Sequence, residues 1–266
     1  LAVRTNTEIC TGFATSEPVS FLTESWNFIR RKKIHDLKIR SALVLSPYKL
    51  FLGSALSRKG LMAGVADGIS LSMLSQWART INDATKKVES LTALVKHYER
   101  LRKRNISFIS GFMSPPVNAV IPDTPVARMM YPDAIGRNTS RMGITDMQFV
   151  HFADAAGSMC FNPEGKPTAD TFVAVMTPPN EEGLMSHGPS AACTGEIIDH
   201  ILEHRDADIL LYVNAGYPFT RGYENARNTV HVDECKGLAD AGRLFVVRDN
   251  GPVPAIPAGR FDNPLK

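Results

Sequence analysis

The spacing of apolar and polar positions alternates short extended runs with helical ones. Glu8–Phe13 (EICTGF) is short and apolar and predicts the first strand. Ala14-Thr15-Ser16-Glu17-Pro18 opens a helix running to Arg31, with Thr15 or Ser16 placed to cap it. Pro18 suits an early helical position, where its missing N–H would be unpaired anyway. Lys38–Leu45 (KIRSALVL) predicts the next strand, ended by Ser46-Pro47. Within 70–104, Val88, Leu91, Val95, Tyr98 and Leu101 recur at helical spacing between Lys86, Lys87, Glu89, Lys96 and Glu99, the mark of one amphipathic helix.

Ile106–Ser110 reads as the strand after it. The proline-rich stretch 114–132 reads as loop with at most a short helix over 126–131, and Gln148–Phe152 as strand-like. Asp170–Met176 (DTFVAVM) is a continuous apolar run, as expected of a strand covered on both faces in a parallel sheet. A loop over 177–190, a helix over 191–205 and strands at Ile209–Val213 and Leu244–Val247 follow. The alternation predicts an α/β fold: an open, largely parallel sheet with helices on both faces and right-handed crossovers. One domain is expected over 1–250, then a proline-rich linker over 251–266. There is no internal repeat.

Composition narrows the function classes. With 44% hydrophobic residues in 266, the chain has enough apolar matter to fold. No uncharged apolar run approaches the ~18 residues of a membrane span, so a soluble protein is expected. The formal charge of +3, from 30 basic and 27 acidic residues, is too even for a dedicated nucleic-acid binder. Positive charge clusters at 30–40 and 96–104, where it complements the negative ends of helices. Cys10, Cys160, Cys193 and Cys235 lack the spacing of a zinc knuckle or a redox dithiol, which implies buried thiols in a reducing cytoplasm. Leu1 stands where Met would and no charged-then-apolar leader follows, so a trimmed piece is expected.

In such sheets ligands bind beyond the carboxyl ends of strands. Two loops qualify, Thr11–Pro18 and Thr177–Ser190. Gly12 in the first precedes a helix N-terminus, where free N–H groups hold an anion or a developing oxyanion. In the second, Pro178-Pro179 stiffens the exit from the strand, Asn180 forms its own turn, and Gly183 permits a left-handed backbone. Glu181 and Glu182 are adjacent, so at most one points into a cleft, and an exposed loop charge is the plainer reading of each. Glu196, His200 and His204 share a helical face but lack the Glu-Xaa-Xaa-His pattern of a zinc site, and no metal is expected. No GxSxG, Walker or GxGxxG run exists.

Four segments resemble, in order, the family I coenzyme A transferases of the acetyl-CoA hydrolase/transferase type, which include butyryl-CoA:acetate and 4-hydroxybutyrate CoA transferases. CTGFATSEPVSFL (Cys10–Leu22) resembles that family's glycine-containing loop ending in Glu-Pro or His-Pro. DTFVAVMTPPNEEGLMSHGPS (Asp170–Ser190) resembles its apolar strand, Pro-Pro-Asp-Xaa-Xaa-Gly turn, and Gly and Ser entering a helix. YVNAGYPFTRG (Tyr212–Gly222) is similar to its Asn-Xaa-Xaa-Xaa-Pro-Xaa-Xaa-Xaa-Gly run, and TVHVDE (Thr229–Glu234) to its Ile-His-Val-Ser-Glu element. Asn180 stands where the family has Asp, and 54–104 is longer and more helical than the family norm.

The resemblance implies the amino-terminal half of such an enzyme. The implied reaction is transfer of CoA from an acyl-CoA to a short-chain carboxylic acid. It runs ping-pong through an enzyme glutamyl thioester. The nucleophilic glutamate lies in a second half, so no glutamate here is assigned that role. Gly12, Phe13 and Ala14 would supply oxyanion donors, while Pro179, Asn180, Glu182, Gly183, His187, Gly188 and Ser190 would line the acyl or CoA channel. Coenzyme A is then a co-substrate and no bound cofactor is expected. The partners are an acyl-CoA, a short-chain carboxylate, and a carboxy-terminal half or second subunit, in a cytoplasmic homo-oligomer without nucleic acid or membrane. The alternatives are an acyl-CoA hydrolase, and a non-catalytic acyl-CoA binding module whose basic clusters hold the CoA phosphates.

Overall fold

The computed structural model describes residues 2–12, 16–44, 48–53, 96–113, 145–147, 157, 161, 164–188, 194–222 and 227–253. Seven strands form one sheet: β1 (Thr7–Thr11), β2 (Leu37–Val44), β3 (Ile106–Met113), β4 (Thr145–Met147), β5 (Thr171–Met176), β7 (Asp208–Asn214) and β9 (Leu244–Asp249). Two shorter strands, β6 (Leu184–Ser186) and β8 (Thr229–His231), pair antiparallel apart from it. The large sheet runs β4-β3-β2-β1-β5-β7-β9 and every pairing in it is parallel. The chain starts at the centre, winds out to β4, then returns to β1's other side and winds out to β9. The reversal between β1 and β5 is a topological switch point, and the two crossovers leave a crevice beyond the strands' carboxyl ends there.

β5 shows why its sequence is apolar throughout. Val173 joins the core that holds α1 (Val19–Arg31) and the short α2 (Lys49–Leu52), whereas Phe172, Ala174 and Met176 join the core that holds α3 (Thr194–His204). Successive side chains face opposite ways, both faces are covered, and all six residues are buried. On α1 the buried stripe is Phe21, Leu22, Ser25, Trp26 and Ile29, the 3–4 spacing of one helical face. Each large apolar side chain there contributes roughly 1.5–3 kcal/mol by leaving water. Tyr98 and Leu101, at the described end of the expected amphipathic helix, are fully buried on the same core. Residues 96–103 are helical, and 88–95, 126–131 and 148–152 lie outside the described residues.

Three local expectations are corrected. α1 begins at Val19 with Pro18 at the N-cap and no side-chain cap, because Ser16 and Glu17 are drawn inward and fully buried instead of terminating the helix. The stretch 177–190 is not all loop, since it contains β6. The basic clusters end up remote from the crevice: Asp36 N–H donates to Arg104 O and Leu37 N–H to Asn105 O at the amino ends of β2 and β3. There Arg104 donates to Ile29 O and Ile34 O, closing the C-terminus of α1. Lys38 and Arg40, within β2, pair with Glu8 of β1 instead. Cys10 and Cys235 are buried, and burial pushes the Cys235 thiol up. No helix among the described residues is long and apolar enough to cross a membrane.

Candidate functional site

The two loops singled out from sequence leave adjacent strands at the switch point. Gly12 follows β1, and its N–H donates to Val173 O of β5 at 2.9 Å. A Cβ on Gly12 would lie 2.5 Å from Ser16 O, so the chain folds back on itself between 12 and 16, and only glycine tolerates that approach. Gly12's amide is spent on the strand pairing, so its part is to permit this turn. Phe13 and Ala14 lie outside the described residues, as does Ser190.

Glu17, at the end of this turn, was not singled out as a site residue. It is fully buried, and its Oε2 accepts the Tyr48 hydroxyl at 2.5 Å. Its main-chain oxygen accepts the Tyr217 hydroxyl at 3.3 Å. Burial pushes the Tyr217 phenol up, and the nearby Asp249 and Glu17 carboxylates add to that. The tyrosine's ring packs against Gly188, where a Cβ would stand 2.9 Å from Cδ1 and φ is +77°. Tyr217 therefore touches both loops. The sequence's one hint was the Glu-Pro pair at a helix start, where an acid ordinarily faces water.

Beyond β5, Thr177 receives the next strand: its N–H donates to Ser186 O and its Oγ1 accepts Ser186 N–H at 2.9 Å. Pro178 and Pro179 are exposed, as a stiff exit from the strand. Asn180 makes the expected turn, its Oδ1 accepting the N–H groups of Glu182 at 3.0 Å and Leu184 at 2.9 Å. Gly183 completes it at φ +77°. Glu181 and Glu182 are both exposed, and Glu182 pairs with Arg221. β8 holds the turn from outside, with the His231 Nε2 donating to Glu182 O at 3.0 Å and Val232 N–H to Gly183 O. Asn180→Ala is expected to loosen this hairpin by about 1 kcal/mol, while Asn180→Asp keeps an oxygen that can accept both N–H groups. Hydrogen exchange at the Leu184 amide reads the difference, and equal protection in both variants would contradict the assignment.

Ser186 and His187 then turn inward. The Ser186 hydroxyl donates to Thr220 O at 2.7 Å and accepts Gly188 N–H at 3.0 Å. Gly188 O accepts the Thr220 hydroxyl at 2.6 Å and the Asn228 amide at 2.9 Å. His187 is 1% exposed, and its Nδ1 has no hydrogen-bond partner. Burial, reinforced by the Arg227 guanidinium, lowers its pKa to about 4, so the ring is neutral near pH 7. At the ends of β7 and β9, Asn214 and Asp249 form a further buried pair. Asp249 accepts the Asn214 amide at 2.9 Å, the Ser20 hydroxyl at 2.6 Å and Gly251 N–H at 2.8 Å, which ties α1 to the edge strand.

The carboxyl edge thus holds buried acids, a neutral imidazole and glycine-hinged loops. Among the described residues no group of His, Cys, Asp and Glu is placed to hold a metal ion. His200 bonds Asp206 at 3.0 Å and stacks on His204, so the i, i+4 pair serves packing on α3.

No family model matches the sequence, and no curated protein matches it. Among solved structures, RipA from Yersinia pestis is similar at 16% sequence identity and a TM-score of 0.54, with 97% of this chain and 42% of the RipA chain covered. A 4-hydroxybutyrate CoA-transferase from Porphyromonas gingivalis matches at 14% identity and a TM-score of 0.39, covering 94% of this chain and 38% of that one. The likeness to RipA is one of fold, and this chain spans about two fifths of RipA's length.

Proposed function

We propose that this chain is the substrate-binding half of a coenzyme A transferase that exchanges CoA between an acyl-CoA and a short-chain carboxylic acid. One observation carries the reading. Two of the four segments that resemble the family, Cys10–Leu22 and Asp170–Ser190, leave neighbouring parallel strands at the switch point of the sheet. The other two segments pack against them, through Tyr217 on Gly188 and through β8 on β6.

In the proposed reaction a glutamate from a second half attacks the thioester carbonyl and expels CoA thiolate, leaving an acyl-glutamyl anhydride. The thiolate attacks the glutamyl carbonyl, forming the glutamyl-CoA thioester and releasing the first acid. An incoming carboxylate repeats these steps in reverse. A carboxylate is a weak nucleophile, so each addition needs its oxyanion stabilised in a dry cleft. Here the Gly12 turn forms one wall, and the Pro179–Gly183 turn with His187 and Gly188 forms the other. A neutral His187 adds polarity without a fixed charge. Glu181 and Glu182 face solvent, and Glu17 is buried and accepts the Tyr48 hydroxyl; the attacking carboxylate is placed in the second half because the family resemblance implies it. The second half, a homo-oligomeric assembly and a cytoplasmic setting belong to the same proposal.

The test supplies acetyl-CoA and labelled butyrate to this chain alone and to the chain joined with a carboxy-terminal half. Label should enter the CoA thioester only in the joined protein. Turnover by this chain alone would refute the shared cleft. Release of free CoA without labelled thioester would replace transfer by hydrolysis.

A further inference from the structure

Another concavity lies at the edge of the sheet, over β7 and β9. Parallel sheets are covered on both faces, and the face of β9 carrying Phe245 and Val247 packs on the α1 core. The opposite face does not close in the same way. Leu211 and Val213 of β7, with Leu244 and Val246 of β9, floor a groove of about 540 Å³. Its far wall is the short helical stretch from Val232 through α4 (Lys236–Asp240), and Pro178 and Pro179 border it on the β5 side. Val246 is 60% exposed and Val232 37%, which makes them two of the three large hydrophobic residues most open to solvent among the described residues. Scattered exposed apolar side chains need no explanation, but contiguous ones in a concavity mark a binding surface.

The polar members of the lining give the occupant's charge. Lys236 and Arg248 border the groove, both are exposed, and neither has an ion-pair partner among the described residues. The acid beside them, Asp249, is already engaged by Ser20, Asn214 and Gly251. A hydrocarbon floor with two uncommitted cations at its border complements an amphiphile with an anionic head, and the volume falls within the ~300–1,000 Å³ of small-ligand sites. Arg248 offers the fork that binds a carboxylate through two hydrogen bonds, and Lys236 offers a point charge.

We propose that this groove binds a straight-chain aliphatic carboxylate of medium length, with its tail along Leu211, Leu244 and Val246 and its carboxylate at Arg248 and Lys236. The site lies over β7 and β9, on the side of β5 away from β1; it shares Pro179 with the turn that walls the proposed channel, and it does not require the transferase reading.

Calorimetry on the 266-residue chain with butyrate, hexanoate, octanoate and decanoate tests it, with 1-decanol as the uncharged counterpart. Each added pair of methylenes is expected to tighten binding about tenfold until the groove is filled. Val246→Glu, at a position already open to water, should leave the melting temperature unchanged and weaken decanoate at least tenfold. Arg248→Gln should abolish the preference for decanoate over decanol. Affinity independent of chain length, or decanoate binding unchanged in Val246→Glu, would overturn the proposal. So would a chain that self-associates through this face, with Val246→Glu dispersing the oligomer and no acid binding. Acid binding without any CoA transfer would leave the groove standing and remove the proposed function. Transfer unaffected by Val246→Glu, without acid binding, would do the reverse.

Discussion

Between pH 6.5 and 4.5 the folded chain is expected to lose about 4 kcal/mol of stability through two histidines alone. His97 is fully buried, with its ring edge-on to Trp26 at 4.5 Å and its Nε2 donating to Leu50 O at 2.9 Å. That bond leaves Nδ1 as the site for any added proton, and Nδ1 is buried without a partner. Burial lowers the pKa of His97 to about 4, against the opposing hydrogen bond to Leu50 and with Arg100 assisting. His187 also sits at about 4. The sign follows from comparing the two states. An unfolded histidine takes up its proton near pH 6.5, whereas the folded ones stay neutral until about 4, so the unfolded state binds more protons in this window. Stability is therefore full above about 6.5 and falls as the pH drops towards the folded value. Urea midpoints at pH 7 and 4.5 measure the loss, and removing one titration with His97→Gln or His187→Gln should flatten the profile by about half. A profile equally steep in both variants would show that other groups carry it.

Gly12→Ala is expected to cost about 2–3 kcal/mol, as overpacking against an unyielding neighbour does. The new Cβ would meet a backbone oxygen, Ser16 O, at 2.5 Å, and backbone cannot rotate away as a side chain would. The turn would have to open, moving Glu17 and with it the hydrogen bonds to Tyr48 and Tyr217. Gly165→Ala is the contrasting variant. Its φ of +78° is unfavourable for alanine, yet nothing lies within 4 Å of the added Cβ, so the cost should stay near 1 kcal/mol. Thermal unfolding of both variants separates the steric penalty from the conformational one. Equal costs would mean that the Gly12 turn yields readily, and the tight-turn account of the crevice wall would fall with it.

Much of this architecture could be read from residue spacing. The uninterrupted TFVAVM of β5 signalled a strand covered twice, and α1's stripe signalled a helix lying on a sheet. The gathering of the two loops at one end of the sheet was also legible, because strand-to-helix loops in a parallel sheet all open at one end. Other features were not. β6 is three residues long, and LMS has no period to detect. Asn180 was recognised as a turn former, but its tie to Leu184 depends on a strand that was not anticipated. Glu17 and Tyr217 escaped notice because an acid before proline and a tyrosine before proline are ordinary surface residues unless something distant encloses them.

Apolar periodicity is a relation between neighbours in the chain, and it survives without any knowledge of what the element packs against. It therefore sufficed for the α/β class, the parallel strands and the two loops at their carboxyl ends. Burial of Glu17 is a relation between remote positions: Tyr48 stands 31 residues along the chain and Tyr217 stands 200. Those contacts exist because the strand order brings β5 and β7 back beside β1, and the same order leaves one face of β9 open. No local pattern encodes such a juxtaposition, since the free energy that holds it comes from closing the whole sheet.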